Sequence, residues 1–284
     1  MRLIPNSRYF AAALALAICT VYADGQSTGA AGPVDQAQKQ VLAYLADLAD
    51  VRCRESVVQE KLTANGHVQA SEHSEFDYFI MMQGDNHDFQ LTESRLAILS
   101  TRHKPLPMLV TNGFSTLLLV FHPYYRDSFQ FEAEPEKNVD GRLILPVHFS
   151  HIPGARSPAA LALRGREYAL ELQGTAWIDE QSGHVVRMDA SLQKDMSDLG
   201  LRALTIHVEY ELMSRGGKLA SAMLPVSAVI DLETTRQHWR NTHRFEDYGS
   251  FTTSAEQGPA VILSPPSLPT AKPSPTSYGD GYSR

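Results

Sequence analysis

The spacing of apolar residues along the chain changes once, close to residue 50. Between Val34 and Asp50 apolar residues recur every three or four positions, and polar residues fill the opposite side. This spacing predicts an amphipathic helix over 34–50. Beyond it, apolar and polar residues alternate with a period of two for most of the chain, which is the pattern of strands with one buried face.

The clearest alternation lies in the second half of the chain. Over residues 203–212, apolar residues at the even positions alternate with Ala203 and with polar residues at the other odd positions. Residues 168–178 and 186–192 repeat the pattern on either side of the turn Glu180-Gln181-Ser182-Gly183. The segment GTAWIDEQSGHVVRMDASL, residues 174–192, therefore predicts a hairpin with one apolar face.

Weaker alternation predicts further strands and a short helix. The dipeptide Asn65-Gly66 is a hairpin turn between the first two strands. Consecutive strands joined by short turns predict an antiparallel sheet, whose apolar face the helix at 34–50 would cover. The predicted strands are 51–63, 67–82, 88–97, 107–111, 116–121, 127–133, 142–149, 226–234 and 244–253, and the second helix is 157–163.

Composition places the chain among globular proteins that bury a core. It has 284 residues, 43% of them hydrophobic and 20% charged, with a formal net charge of −7. This charge balance lacks the clustered Lys and Arg excess that binds phosphate backbones, so nucleic acid is excluded as an expected partner.

Both termini are predicted to lie outside the fold. Arg2 and Arg8 precede an apolar run, 9–21, that is too short to span a bilayer, so residues 1–23 are predicted to be a signal peptide cleaved after Ala23. The chain is then exported to the periplasm. The remaining segments are a flexible linker at 24–33, one domain at 34–255 and a disordered Pro/Ser-rich tail at 256–284.

The chain contains two cysteines, Cys19 and Cys53. Ile18 stands where a lipoprotein signal has a small residue, so a lipid anchor on Cys19 is disfavoured. Once the signal peptide is removed, Cys53 has no partner for an internal disulfide, and stability must come from packing. Cys53 is then either a buried small residue, the favoured interpretation, or an exposed thiol.

The hairpin resembles that of the LolA-like superfamily, which includes periplasmic lipoprotein carriers, outer-membrane receptors and envelope-stress regulators. The residues that carry the resemblance are Gly174, Trp177, Ile178, Asp179, Gly183 and Arg187. The resemblance implies a mainly antiparallel β fold with a few helices (α+β), a curved half-open β-barrel packed on an N-terminal helix. It also implies an apolar cavity on the concave face of the sheet.

From this resemblance we expect a noncatalytic envelope protein, a monomer that binds an apolar or lipidated ligand with transient membrane contact. The alternative is an envelope sensor that binds another protein. If the cavity is collapsed, its lining is plain core. The expected lining residues are Phe76, Tyr78, Phe129, Phe131, Tyr168, Leu170, Leu172, Ile178, Met188, Leu204, Ile206, Val208 and Tyr210.

The block RQHWRNTHRFED, residues 236–247, concentrates cationic and aromatic side chains. In one interpretation Arg236, Trp239, Arg240 and Arg244 contact an anionic headgroup or an acidic partner protein. In the other, the block links the last two strands, and its arginines pair with nearby carboxylates of Glu233, Glu246 and Asp247.

Catalytic and metal sites are not expected. His148 and His151, like His238 and His243, are separated by an odd number of residues, which places the two rings on opposite faces of a strand. The motif Gly-x-Ser-x-Gly is absent, and the stretch that begins at Gly113 lacks the second glycine. We therefore expect no enzyme activity, no metal and no cofactor.

Overall fold

Strands dominate the fold, as the alternating pattern predicts. The computed structural model describes residues 31–48, 50–83, 90–99, 111, 113–163, 165–213 and 222–250. Its elements are α1 (Ala31–Asp47), β1 (Val51–Leu62), β2 (Val68–Gln83), β3 (Gln90–Leu99), a 3₁₀ helix (Thr116–Phe121), α2 (Pro123–Arg126), β4 (Phe129–Ala133), β5 (Lys137–Val139), β6 (Arg142–His151), β7 (Ala160–Leu163), β8 (Arg166–Ala169), β9 (Leu172–Asp179), β10 (Val185–Leu192), a second 3₁₀ helix (Ser197–Leu199), β11 (Leu201–Met213), β12 (Ala222–Thr234) and β13 (His238–Ser250).

Eleven strands form one antiparallel sheet, in the order β3-β2-β1-β13-β12-β11-β10-β9-β6-β4, with β5 paired to β6. The pairing of β1 with β13 joins the first and the last of the described strands inside the sheet. Among the described residues β3 and β4 end the sheet without pairing to each other, so the barrel is half-open. The predicted fold class is confirmed.

Helix α1 lies against the inner face of the sheet, at the turn between β9 and β10. The Gln40 Nε2 amide donates to the Ser182 carbonyl over 2.8 Å. Gly183 has a φ of +73°, and a Cβ built there would lie 3.1 Å from the Gln36 Cβ, so a side chain at this turn would be in tight contact with the helix. The apolar side of α1 is buried: Val34, Ala37, Val41, Tyr44 and Leu45.

The strand register gives the sheet one apolar and one polar face. Ala176 and Ile178 of β9 are buried in the core, whereas Trp177 between them points to the other face and is half-buried. We call the core side the inner face and the opposite side the outer face. At Gly174, a Cβ would lie 1.9 Å from the Asp189 carbonyl oxygen, so the approach of β10 requires glycine.

Two predicted elements are wrong. Residues 116–121 form a 3₁₀ helix rather than a strand, with Leu117–Phe121 all buried. A continuous apolar run carries no periodicity, so its pattern cannot distinguish a buried strand from a buried helical turn. Residues 157–163 contain no helix, because 160–163 form β7, which pairs with β8 outside the main sheet.

Other element bounds also differ from the prediction. The predicted strand 168–178 is divided between β8 and β9, and the predicted helix 34–50 is observed at Ala31–Asp47. Strand β13 begins at His238, so most of the block 236–247 is strand rather than a linkage.

Several predictions fall on residues that the structure does not describe. These are the signal peptide, Cys19, linker residues 24–30, residues 107–110, residues 251–255 and the tail 256–284, which lie outside the described residues. Within the described part of the chain, no helix has the length and apolar character needed to cross a membrane.

Candidate functional site

Most of the expected lining residues lie on the inner face and are part of the core. Phe131 and Ile206 are partly buried and pack against that core. Phe76 is half-buried on β2, and Tyr168 is half-buried on β8, in the separate two-stranded sheet. The fully packed members are Tyr78, Phe129, Leu170, Leu172, Ile178, Met188, Leu204, Val208 and Tyr210.

Residues 113–121, which we call the covering segment, pack with α1 over this face. The ring of Phe114 lies 5.3 Å from that of Phe245, edge to face, and 4.8 Å from the His243 ring. The Tyr210 hydroxyl donates to the Phe114 carbonyl over 2.7 Å. The inner face is therefore covered by helical segments rather than by a second sheet.

The Glu93 carboxylate of β3 holds the start of the covering segment. It accepts backbone N–H groups from Gly113 at 3.0 Å and from Phe114, Ser115 and Thr116 at 2.9 Å each. The Thr116 hydroxyl donates at 3.0 Å, and the Tyr78 hydroxyl donates as well. Glu93 is 7% exposed, so these charge-assisted bonds lie in a site largely shielded from water.

A second buried carboxylate, Glu55 of β1, binds side chains from both sides of its strand, one on β3 and one on β13. Arg95 of β3 donates through both Nε and an Nη, the latter at 2.7 Å. The Nδ1–H of His243, on β13, donates at 2.8 Å. Burial opposes ionisation of Glu55, but the bonds from Arg95 and His243 outweigh it and lower its pKa. Burial also lowers the pKa of His243, so the neutral imidazole is favoured.

Hydrogen bonds continue from His243 along β13. The Thr111 hydroxyl lies 2.9 Å from His243 Nε2 and donates to it when Nδ1 carries the proton. Asn241 Nδ2 donates to Thr111 Oγ1 at 3.3 Å, and its Oδ1 accepts from Gln59 at 3.0 Å. This buried network satisfies polar groups that would otherwise destabilise the core.

Sequence reasoning missed this network, although a signal was present. On β1 the inward positions are Val51, Cys53, Glu55, Val57 and Gln59, so two polar residues occupy apolar positions of the alternation. Both are nearly fully buried, at 0% and 2% exposure. A polar residue at a core position of a strand predicts a buried partner, but the pattern does not identify that partner.

The residues of the block 236–247 are divided between the two faces. Trp239 is buried, and its Nε1 donates to Gln237 at 3.0 Å. Arg240 lies on the outer face and pairs with Asp231 at 3.1 Å, a carboxylate outside the set that the linkage interpretation expected. Arg244 is exposed on β13, and Arg236 is exposed in the turn before it. The four residues do not form one continuous contact surface.

In both histidine pairs the two rings lie on opposite faces of the sheet, as the strand spacing predicted. His151 is buried beside Phe129, and His148, three residues earlier, lies on the outer face. His238 bonds to Asp231 on the outer face at 3.3 Å, whereas His243 is buried on the inner face. Among the residues that the structure describes, no three His, Cys, Asp or Glu side chains are grouped so as to hold a metal ion.

Shallow cavities lie on the outer face of the described strands. One, of about 310 Å³, lies over β9 to β12 and is lined by Asp189, His207 and Asp231 together with hydroxyl side chains. His207 Nδ1 is 2.6 Å from Asp189 Oδ1. Another, of about 420 Å³, is bounded by β5, β6, β9 and β10 and includes Trp177.

No family model matches the chain, and no protein of curated function matches it. Several solved structures do match the chain. A LolA superfamily protein from Nitrosomonas europaea matches with a TM-score of 0.39 and 9% identity, over 80% of this chain and 95% of its own. A DUF1329 family protein from Desulfovibrio piger matches with a TM-score of 0.41 and 10% identity, over 78% of this chain and 95% of its own.

A third match is a domain from Vibrio parahaemolyticus named for outer membrane lipoprotein sorting. Its TM-score is 0.42 at 9% identity, over 81% of this chain and 94% of its own. The architecture implied by the hairpin resemblance, an open antiparallel sheet with an N-terminal helix on its inner face, is the one that the described residues adopt.

Proposed function

We propose that the protein is an exported, noncatalytic component of the cell envelope that binds an acylated or otherwise apolar ligand on the inner face of its sheet. The observation that carries this proposal is the way the face is covered. Helix α1 and the covering segment pack on the apolar strands through side chains, and the Glu93 carboxylate anchors the covering segment. Helix α1 and the covering segment can therefore move away from the sheet without breaking the backbone hydrogen bonds between its strands.

The free energy needed to expose the buried side of α1 is similar to the free energy gained by burying a long acyl chain. Five buried side chains of α1 face the core, and exposing them would cost about 10 kcal/mol at the usual value for each apolar side chain. An acyl chain with about twelve methylene groups recovers a similar amount, since each buried methylene contributes ~0.8 kcal/mol. The proposal therefore favours long acyl chains over short ones.

A disulfide between α1 and the hairpin turn tests whether the helix must move. A Cβ at Gly183 would lie 3.1 Å from the Gln36 Cβ, within a few tenths of an ångström of disulfide geometry. We expect Gln36→Cys/Gly183→Cys, in a Cys19→Ser background, to take up a fluorescent C16 fatty acid at least tenfold more slowly when oxidised than when reduced.

The two single-cysteine variants are the matched controls, because each carries the same substitution without the cross-link. Equal uptake by the oxidised and reduced forms would exclude movement of α1. Cys53 does not interfere, because it is buried and its pKa is raised to about 12, mainly by burial.

Native mass spectrometry of protein purified from its own envelope distinguishes the two classes of function. Bound lipid of long acyl chain supports the binder. A bare chain that also fails to take up the fatty acid would favour the alternative, an envelope protein that binds another protein.

A further inference from the structure

The cavity of about 420 Å³ lies on the outer face, away from α1 and the covering segment. Its walls are largely apolar: Val139 of β5, Ile144 of β6, Trp177 of β9 and Val186 of β10. Ile144 is 5% exposed even though it belongs to the outer face of an open sheet. The volume falls within the usual range of small-molecule sites.

The aromatic wall of this cavity is held in place. Trp177 Nε1 donates to Asp189 Oδ2 at 2.9 Å, and Arg187 also binds Asp189, through an Nη at 2.9 Å and Nε at 3.2 Å. The Arg187 guanidinium lies 5.0 Å from the centre of the Trp177 ring. One carboxylate thus orients both the ring and the guanidinium.

A register irregularity in β10 shapes the same wall. Val185 pairs with Ile178 and Arg187 with Trp177, so Val186 is the extra residue between the two pairs. Bulges of this kind redirect a side chain out of the regular alternation. Here the extra residue, Val186, lines the cavity beside Trp177.

Two cations beside the cavity are paired with carboxylates. Lys137 pairs with Glu134 at 2.9 Å, and Arg187 is paired with Asp189. Arg142 lines the cavity and is exposed. Within the described part of the chain it forms no side-chain hydrogen bond or salt bridge, and its charge interacts electrostatically with the Asp179 carboxylate. Guanidinium groups bind carboxylate and phosphate oxygens in a bidentate manner.

We propose that this cavity binds a small amphiphilic anion, whose apolar part packs between Trp177, Ile144 and Val186 and whose acidic group pairs with Arg142. The other charged residues of the lining are Arg187, which is already paired with Asp189, and Asp140, a carboxylate that repels such an anion. The site is distinct from the inner face, and its occupation does not depend on movement of α1.

The two tryptophans, one on each face, allow a direct test by ¹⁹F NMR of the full chain labelled with 5-fluorotryptophan. Trp177→Phe assigns the two resonances. The probe is 2-naphthoate, and its matched neutral control is 2-naphthamide. We expect naphthoate to shift the Trp177 resonance with saturation and to leave that of Trp239 in place, and the amide to bind at least tenfold more weakly.

Removing the charge of Arg142 and removing that of Asp140 should change naphthoate binding in opposite directions. Arg142→Gln should weaken naphthoate binding about tenfold, and Asp140→Asn should tighten it about twofold. The unliganded spectra of both variants show whether the fold is retained. Equal binding of amide and naphthoate, an unchanged affinity in Arg142→Gln, or a shift of the Trp239 resonance alone would overturn the proposal.

Discussion

His243 and Glu55, which are 188 residues apart in the chain, are joined inside the core by a hydrogen bond of 2.8 Å. Both side chains are almost completely buried. The imidazole donates through Nδ1 and also packs against the ring of Phe114 in the covering segment. The pair therefore connects the adjacent strands β1 and β13 to the segment that covers the sheet.

The protonation of His243 predicts a pH dependence of stability. Its folded pKa is lowered, chiefly by burial, relative to an unfolded value of about 6.5. The unfolded chain therefore binds a proton more readily, so the stabilising contribution is complete above that value and is lost as the pH falls from it towards the lower folded pKa. We expect the free energy of unfolding, measured in urea, to be smaller at pH 5.5 than at pH 7.5 through this residue.

His243→Asn is the matched variant, because its amide can still donate to Glu55. It should be less stable at pH 7.5 and should lose less stability than the original chain on acidification. His122 and His184 also have pKa values lowered by burial and contribute in the same direction, so a residual slope is expected. A slope unchanged by His243→Asn would contradict the assignment.

Replacing Glu93 with glutamine should loosen the covering segment. The carboxylate accepts four backbone N–H groups from residues 113–116, and an amide cannot accept them all. We expect a loss of roughly 3 kcal/mol in the free energy of unfolding, as for a broken buried charge network. Hydrogen exchange of these four amides should be faster.

Glu132→Gln is the control, because Glu132 is an exposed carboxylate on the edge strand β4. It should change neither the free energy of unfolding nor the hydrogen exchange of the four amides. If the four amides exchange at the same rate in Glu93→Gln as in the original chain, the anchor does not hold the covering segment.

Gly174→Ala tests the close approach of β9 and β10. A Cβ at this position would lie 1.9 Å from a backbone oxygen of β10, so the strands must separate. We expect destabilisation of roughly 3 kcal/mol or failure to fold, as for a severe overpacking change. Gly32→Ala, where a Cβ meets nothing within 4 Å, should be neutral or slightly stabilising. Comparable melting temperatures of the two variants would contradict this account.

Cys53 should be inert in the folded chain. It is 2% exposed, and burial is the largest cause of its pKa rising to about 12. In a Cys19→Ser background, we expect no labelling by Ellman's reagent at pH 8 until urea unfolds the protein. Glu132→Cys in the same background, an exposed strand position, should label at once. Labelling of native Cys53 at a comparable rate would mean that the core opens frequently.

Elements with a regular period were predictable, and those without one were not. The alternation over residues 203–212 predicted β11, because a period of two allows only one assignment. Residues Leu117–Phe121 are apolar at every position, which fits a buried strand and a buried helical turn equally well, and in the structure they belong to a 3₁₀ helix that packs against α1. Their true conformation depended on what surrounds them.

The candidate site was also predictable only in part. The apolar inner face could be predicted, because every second residue of a strand lies on the same side. The partners of Glu55 and Glu93 could not, since they come from β3, β13 and the covering segment, which sequence spacing does not bring together.

Taken alone, the order of residues determined where the helix and most strands form and which side of each strand is apolar, because local spacing controls both. Only the tertiary structure decided how that apolar side is covered and which buried charges meet. Those outcomes follow from strand order, which joins β1 to β13 across nearly the whole chain and places Glu93 beneath residues 113–116. Contacts between residues so distant in sequence leave no periodic trace along the chain.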